Sequence, residues 1–343
     1  MRVVGLDIGG ANLKAATADG DVVSSPFEIW RMPERLAGAL TELLAKLPAA
    51  DALAVTMTAE LADCFRTKAE GVDFVLAATE RVAGTRPVFV WSTAGRFVSP
   101  SEARCEPMRI AAGNWHALAT WGARRFVPTG CGLLVDIGST TTDIIPLRDG
   151  QPVATGLTDG DRLLSGELVY TGVRRTPLCA VASEIVFRGQ PCRLAAELFA
   201  TTLDVYLLLA DIAEDDTDCL TSNGRPKTRI EAWHRMARML CRDGDEFRMP
   251  DAVDAARQFS TVQQTTIVRA LDQVLTRLEC RPEFVIVSGT GSFLGRRVLA
   301  TESQTSGAGI ISLDSELAPA VAESACAFAV ATLFQQWQRT VFD

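Results

Sequence analysis

The sequence predicts an α/β protein built from two similar units that face each other across a cleft. One phrase occurs twice, as VVGLDIGGANLKAAT at residues 3–17 and as LLVDIGSTTTDIIPL at residues 133–147. Each copy places an Asp in an apolar strand and follows it with Gly, small polar residues and a second apolar run, which indicates two strands joined by a tight turn. Helices and strands alternate after the first copy, as they do where helices cover a sheet. Ligands of such proteins usually bind in the crevice at the ends of the strands.

The first unit is predicted to cover residues 1–128 and to begin with three short strands, RVVGLDI, NLKAATA and VVSSPFEI. Alternating helices and strands follow, which makes the unit one α/β layer. The remaining predicted elements are the amphipathic helix PERLAGALTELLAKL, the strand ALAVTMT, the helix TKAEGVDFVLAATERVAG, the strand PVFVW and, in a crossover over residues 93–128, the helix NWHALATWGARRF.

The second unit is predicted to cover residues 129–314, and it repeats the strand pattern with GLLVDIG, TTTDIIPLRDG and QPVATGL. A mostly helical insertion is expected at about residues 161–281, and LAAELFATTLDVYLLLADI is its most apolar predicted helix. FVIVSGTGSF then reads as a strand that runs into a Gly turn. A final helix over residues 315–343 is expected to pack back on the first unit.

The composition excludes several classes of protein. A net charge of -8 argues against a nucleic acid or an anionic membrane as the main partner. No apolar run is long enough to span a membrane, and Asp7 interrupts the first apolar stretch, so we expect a cytoplasmic protein without a signal peptide. The nine Cys are scattered without CxxC or zinc-ligand spacing and are predicted to be small, buried, reduced thiols.

The twin phrase has a physical interpretation as a phosphate site. Tight Gly turns expose successive backbone N–H groups that bind anions, and Gly lets a ligand approach the backbone closely. Asp7 and Asp136, at the ends of buried strands, are expected to point into the cleft, where two carboxylates beside phosphate groups suit Mg²⁺. The alternative is that each Asp only caps its own turn. The candidate phosphate-binding residues are Gly9, Gly10, Asn12, Gly138, Ser139, Thr140 and Thr141, with Gly289 and Gly291 from a third turn, SGTGSF.

The motifs resemble those of a known superfamily. LDIGGANLK, VDIGSTTTD and VSGTGSF, in this order, are similar to the two phosphate motifs and the nucleotide-side motif of the actin-like, sugar-kinase and heat-shock ATPases. This resemblance covers almost the whole chain. It implies two ribonuclease-H-like domains around a central phosphate-binding cleft.

A narrower resemblance concerns the hydantoinase/oxoprolinase-related branch that is linked to tetrahydromethanopterin-dependent one-carbon metabolism. VTMTAELADCFRTKAEGV, DIGSTTTDIIPL and GELVYTGVRRTP are similar to the motifs of this branch, which includes condensing enzymes of methanofuran biosynthesis. The resemblance implies a transferase that joins an aminomethylfuran-methyl diphosphate to the phenol of a γ-glutamyltyramine-like acceptor and releases diphosphate. Such an enzyme must stabilise the leaving diphosphate, exclude water and present the phenol.

The implied reaction suggests roles for charged residues near the twin phrases. Lys14 could neutralise phosphate charge, and Asp143 could contact a metal ligand, act as the base for the phenol, or simply lie on an exposed face. Glu60 and Asp63 could bind the aminomethyl cation of the substrate or act as base, or they could be acids favoured by a helix N-terminus. Lys68 belongs to the same motif.

The GELVYTGVRRTP motif supplies the other substrate-binding candidates. Arg174 and Arg175 suit a phosphate or the γ-glutamyl carboxylate, but adjacent residues face different ways, so one of them is expected to pair with a structural acid. Tyr170 could stack on a furan or phenol ring, or it could pack in the core.

Two other functions fit the same motifs. One is an ATP-dependent small-molecule kinase or amide hydrolase, because a fold does not determine a function. The other is a non-catalytic nucleotide-binding protein. His116 and His234 are not in positions that suggest nucleophilic catalysis, and Cys64 is expected to be a buried structural thiol. The sequence leaves the oligomeric state open.

Overall fold

The computed structural model describes residues 1–342, without the side chains of residues 341 and 342, and it confirms the α/β prediction. Residue 343, which the predicted C-terminal helix includes, lies outside the described residues. The strands are β1 (Val3–Ile8), β2 (Asn12–Thr17), β3 (Val22–Pro26), β4 (Ala52–Met57), β5 (Val88–Ser92), β6 (Arg96–Val98), β7 (Cys131–Ile137), β8 (Thr142–Arg148), β9 (Gln151–Pro152), β10 (Leu168–Val169), β11 (Glu184–Phe187), β12 (Gln190–Arg193), β13 (Phe284–Ser288) and β14 (Gly309–Ser312).

Helices flank these strands, and short 3₁₀ turns join several of them. Among the described residues, no helix combines the length and the apolar character needed to cross a bilayer. The α-helices are α1 (Leu36–Leu44), α2 (Lys68–Ala83), α3 (Pro100–Cys105), α4 (Asn114–Phe126), α5 (Asp159–Ser165), α6 (Leu178–Val181), α7 (Thr202–Leu208), α8 (Arg229–Met239), α9 (Met249–Arg277), α10 (Ser292–Thr301), α11 (Leu313–Glu316), α12 (Pro319–Glu323) and α13 (Ala325–Phe342).

The two main sheets repeat one topology. The first has the order β3-β2-β1-β4-β5-β6, in which β1 pairs antiparallel with β2 and parallel with β4. In the second, which has the order β10-β8-β7-β13-β14, β7 pairs antiparallel with β8 and parallel with β13. The two copies of the phrase therefore become equivalent central hairpins. Their parallel neighbours, β4 and β13, end at the same edge as β1 and β7.

Helices α4 and α13 form a layer that both sheets share. One buried apolar cluster contains Trp91 of the first sheet, Ile286 of the second, Trp115 of α4 and Phe334 of α13. Helix α13 crosses β1 so closely that a Cβ at Gly5 would meet the carbonyl oxygen of Ala327 and lie 2.9 Å from the Ala331 nitrogen. This contact leaves room only for Gly at that position of β1. The predicted boundary between the domains at residue 128 stays a prediction.

The insertion differs from the prediction in two ways. The stretch LAAELFATTLDVYLLLADI is helical only over Thr202–Leu208, because Thr201 and Asp204 form a capping box that starts the helix, and Ala210 adopts a positive φ that ends it. The insertion also contains an unpredicted hairpin, β11–β12, whose Gly189 turn has a positive φ. The strand predicted for QPVATGL is limited to Gln151–Pro152.

The cysteine prediction was wrong in two respects. Cys131 and Cys280 form a disulfide across 149 residues of chain, with their Cα atoms 6.3 Å apart. The thiols also do not share the burial expected of them, since four of them are exposed at the surface. Scattered spacing gave no sign of the pairing, because only the fold brings the start of β7 beside the end of α9. The exposed thiols are those of Cys64, Cys105, Cys219 and Cys241.

Candidate active site

The twin hairpins have the same turn geometry. The Gly9 N–H donates to the Asn12 carbonyl at 3.0 Å, and the Gly138 N–H donates to the Thr141 carbonyl at 2.9 Å. In the third turn, the Gly291 N–H donates to the Ile137 carbonyl at 2.8 Å. These three amides hold the turns together, and the phosphate-binding role predicted for Gly9, Gly138 and Gly291 stays a prediction. The contribution of the other turn residues, Gly10, Ser139, Thr140 and Gly289 included, stays a prediction.

Each hairpin brings its Asp next to a charged residue on the paired strand. Asp7 lies opposite Lys14, and Asp136 lies opposite Asp143. Burial raises the pKa of Asp7, which Lys14 opposes. Burial likewise raises the pKa of Asp136, and the charge of Asp7 raises it further. The two carboxyl groups therefore act on each other although they belong to different sheets.

The third Gly turn supports Asp136 from behind. Ser288, the last residue of β13, is the parallel partner of Asp136. Gly289 has φ +86°, and a Cβ at this position would lie 2.6 Å from Asp136 Oδ1. Only Gly tolerates both the backbone conformation and the close approach. The turn of SGTGSF thus packs directly on the carboxyl group of the second hairpin.

The start of α13 completes this group of residues. Lys14 Nζ donates to the Glu323 carbonyl at 2.6 Å, which ties β2 to the residues just before the helix. Cys326 lies half-buried in the first turn of α13. Burial of its thiol raises the thiol pKa, and the charges of Asp7 and Asp136 raise that pKa further. The residue was not identified from the sequence. Its one signal is its position in the run of small residues SACA, which lets the helix approach β1.

The GELVYTGVRRTP motif folds onto the turn of the second hairpin. The Val173 N–H donates to the Gly138 carbonyl at 3.0 Å, and the amides of Arg174 and Arg175 donate to the Ser139 carbonyl at 3.0 and 2.9 Å. A Cβ at Gly172 would lie 2.5 Å from the Thr140 nitrogen. The motif therefore fixes the shape of this turn.

The two arginines have different partners, as the sequence suggested. Arg174 pairs with Asp218 at 2.7 Å, whereas the exposed Arg175 places its guanidinium 4.9 Å from the ring centroid of Trp30 in the first unit. Tyr170 is 57% exposed, so core packing is excluded for this side chain and its stacking on a substrate ring stays a prediction. Arg175 is the arginine that remains available at the boundary between the units.

A line of buried and half-buried charges crosses from one unit to the other. Lys68 Nζ of the first unit lies 3.9 Å from Asp159 of the second, and Asp159 lies 3.7 Å from Arg162. Arg162 hydrogen-bonds to Asp143 and stacks 4.3 Å above the Trp115 ring. Among the described residues, Lys68–Asp159 is the one ion pair that joins the two units. We call Lys68, Asp159, Arg162, Asp143 and the neighbouring Glu60 the interdomain charge cluster.

Two acids of this cluster, Asp143 and Glu60, are buried, whereas the sequence also allowed surface positions for them. Asp143 is buried, so an exposed position for it was wrong. Burial raises its pKa to about 7 although Arg162 opposes the shift. Glu60 is 1% exposed, and burial raises its pKa to about 7 as well. Asp63, three residues further on, is exposed.

Asp159, Arg162 and Trp115 were missed by the sequence analysis. Asp159 and Arg162 lie one turn apart in α5, at the N-terminal edge of the predicted insertion. In the sequence, Thr-Asp-Gly-Asp followed directly by Arg indicates only the N-terminus of a helix. Side chains at such a position are usually solvated. No local signal shows that this Arg is buried.

The raised pKa values predict a pH dependence of stability. Because Glu60 has a folded pKa of about 7 against an ordinary value of 4.5, the native state binds more protons than the unfolded chain between these values. Its contribution to the free energy of unfolding is therefore fully present below pH 4.5 and is lost as pH rises through 7, with a slope of at most about 1.4 kcal/mol per pH unit.

Chemical denaturation of wild type and Glu60→Gln at pH 5, 6, 7 and 8 checks this expectation. The wild type should lose stability more steeply than Glu60→Gln as pH rises. Glu42→Gln, which changes an exposed acid of α1, should keep the wild-type slope. Parallel curves for wild type and Glu60→Gln would contradict the raised pKa.

The residues near Asp7 do not form a metal cage by themselves. In the part of the chain that the structure describes, no three His, Cys, Asp or Glu side chains are arranged to hold a metal ion. Asp7 Oδ1 is nevertheless buried without a hydrogen-bond partner. Mg²⁺ usually takes one or two carboxylates and completes its shell with water and substrate phosphate. The two carboxyl groups thus fit an ion shared with a phosphate ligand.

Two surface cavities lie away from the twin hairpins. One of about 530 Å³ lies between α10 and β14, and one of about 320 Å³ lies between α4 and α13. Neither is lined by the twin hairpins or the interdomain charge cluster. Because they lack the paired carboxyl groups and the Gly turns, we place the candidate site at the facing hairpins.

The repeated sheets and facing hairpins define the two-domain, ribonuclease-H-like class of α/β proteins that the sequence predicted. The sequence profile of the hydantoinase/oxoprolinase family matches residues 51–336. The chain therefore belongs to the hydantoinase/oxoprolinase family.

Two relatives carry the name (4-{4-[2-(gamma-L-glutamylamino)ethyl]phenoxymethyl}furan-2-yl)methanamine synthase. The protein from Methanocaldococcus jannaschii is 35% identical over 339 residues, which are 98% of this chain and 98% of the relative. The protein from Methanococcus vannielii is 30% identical over 203 residues, which are 59% of this chain and 90% of the relative. The resemblance to the methanofuran branch of the family is thereby confirmed.

A solved structure supports the fold. The nucleotide-free structure of acetone carboxylase superposes with a TM-score of 0.56 and 11% identity, covering 96% of this chain and 70% of that one. At this identity the likeness concerns the fold alone.

Proposed function

We propose that the protein is a transferase of furan-cofactor biosynthesis that joins a furanylmethyl group to the phenol of a tyramine derivative. The donor is an (aminomethyl)furanylmethyl diphosphate, and the acceptor is γ-glutamyltyramine or a similar phenol. The bond from the furanyl methylene to the diphosphate oxygen breaks, and a bond to the phenol oxygen forms. The phenol proton passes to a carboxylate, and diphosphate leaves.

One observation carries this proposal. The Methanocaldococcus jannaschii relative matches along 98% of both chains, and its name describes a product in which a phenoxy group is attached through a methylene to a furan that bears a methanamine. The ether in that name is the bond that such a transfer creates. The diphosphate leaving group is not part of that name; it is what the resemblance of the motifs implies, and the facing Gly turns and carboxyl groups support it.

The residues supply the parts that the reaction needs. Asp7 and Asp136 would hold Mg²⁺ together with the diphosphate, and the ion would add positive charge where the leaving group gains negative charge. Lys14, opposite Asp7, adds a second positive charge. Asp143, with its pKa near 7, is suited to accept the phenol proton at neutral pH. Arg175, at the unit boundary, suits a carboxylate or an outer phosphate.

A direct assay distinguishes this function from its rivals. Purified protein is incubated with Mg²⁺ and either ATP or the synthetic furan diphosphate, with and without tyramine or γ-glutamyltyramine. Release of diphosphate that requires the phenol is the expected result. ADP or phosphate formed from ATP would instead favour a kinase or amide hydrolase, and no reaction in any mixture would favour a non-catalytic nucleotide-binding protein.

A further inference from the structure

The interdomain charge cluster contains buried polar atoms without partners. Glu60 accepts the Ala112 N–H through Oε1 at 2.9 Å, but its Oε2 has no partner among the described residues. Trp115 Nε1 and Arg162 Nε, in side chains that are about 1% exposed, have none either. A buried polar group without a partner destabilises the fold. Trp115 Nε1 and Arg162 Nε are donors that a cation cannot satisfy, whereas Glu60 Oε2 is an acceptor and points to a hydrogen-bond donor in a ligand.

The charge of the cluster indicates the sign of that ligand. Lys68, Asp159, Arg162 and Asp143 are joined by the contacts described above, and the charges of Asp159 and Lys68 both act on Glu60, so the five groups form one electrostatic unit. When ionised, the three carboxylates exceed the two cations by one negative charge. A single cation would neutralise the cluster.

The cluster borders the hairpins where the reaction is proposed to occur. Asp143 lies opposite Asp136 in the second hairpin. Glu60 follows β4, whose Thr56 is the parallel partner of Asp7. A ligand that reaches from the two hairpin carboxyl groups to Glu60 would therefore span one continuous site, with its anionic end at the hairpins and its cationic end at the cluster.

We propose that Glu60 binds the primary ammonium group of the furan donor and thereby determines donor specificity. This inference rests on the proposed function. A γ-glutamyltyramine acceptor also carries an ammonium group, but its glutamyl tail brings an α-carboxylate with it. Tyramine carries an ammonium group without a carboxylate, and the test below separates that group from the one on the donor. A carboxylate would add negative charge beside Asp159 and Asp143, whereas the aminomethyl group of the donor brings only the positive charge that the cluster lacks.

The test compares two donors. One is the (aminomethyl)furanylmethyl diphosphate, and the other has a methyl group in place of the aminomethyl group. For the aminomethyl donor, Glu60→Gln should lower kcat/KM by about 10- to 100-fold, mainly through KM, because the carboxylate charge that strengthens the hydrogen bond to the ammonium group is lost. For the methyl donor, wild type and Glu60→Gln should differ by less than about threefold. Glu42→Gln, at an exposed position of α1, is the matched control for both donors.

Other outcomes are equally decisive. An equal loss on both donors would show that Glu60 does not recognise the ammonium group. A penalty that disappears when N-acetyltyramine, a phenol without an ammonium group, replaces γ-glutamyltyramine would assign the ammonium to the acceptor and overturn the proposal. Calorimetric binding of both donors without acceptor gives the same comparison independently of turnover. If wild type binds the aminomethyl donor through Glu60 but releases no diphosphate, the proposed function fails and the ammonium site stands.

Discussion

Replacing Asp136 by Asn is expected to lower kcat for diphosphate release by about 10²- to 10³-fold while leaving the fold intact. Asp136 is the carboxyl group that the third Gly turn supports and that lies within electrostatic reach of Asp7. The Asn side chain keeps the shape but loses the charge that would hold a cation beside the leaving group. Loss of one such electrostatic contact typically has this magnitude.

Steady-state assays of diphosphate release, together with circular dichroism of the variant, measure both parts of the expectation. Asp149→Asn is the matched control, since Asp149 lies in the exposed turn at the opposite end of β8 and Asn retains the oxygen that accepts the Gly130 N–H. Near wild-type kcat in Asp136→Asn would remove Asp136 from the mechanism.

Replacing Arg162 by Met is expected to destabilise the protein by about 3–5 kcal/mol at pH 8. Arg162 is 1% exposed and hydrogen-bonds to the buried Asp143, so its removal leaves an uncompensated carboxylate in the interior. The loss should shrink at pH 5.5, because Asp143, whose pKa is raised to about 7 even with Arg162 present, is then protonated.

Denaturant unfolding at the two pH values tests this result. The double variant Arg162→Met/Asp143→Leu should be more stable than Arg162→Met alone, because it removes the buried charge as well. If the single variant is equally destabilised at both pH values, the loss arises from packing against Trp115 and not from the ion pair.

The sequence was sufficient to predict the features that local patterns encode. The Asp-Ile-Gly phrases and the turns after them predicted both central hairpins, and the periodicity of NWHALATWGARRF predicted α4. These features depend on residues close together in the chain. The apolar run before Thr201 was misassigned to a helix, since Leu198 and Phe199 in it are exposed and the helix begins only at Thr202.

The interdomain charge cluster could not be predicted in the same way. Lys68 and Asp159 are far apart in the chain, and the burial of Glu60 depends on the amide of Ala112 from another segment. Long-range pairing leaves no periodic signal. The sequence therefore identified Glu60, Lys68 and Asp143 as candidates but gave no indication that Arg162 and Asp159 connect them.

The shared helical layer has a consequence for synthesis on the ribosome. Residues 3–98 form the first sheet, but one side of it is covered by residues 325–342. The first sheet must therefore wait, with Trp91 and Phe97 incompletely covered, until α13 has been translated. Folding of the first sheet is thus coupled to a helix far along the chain, and a truncation that removed α13 would harm the earliest-made sheet.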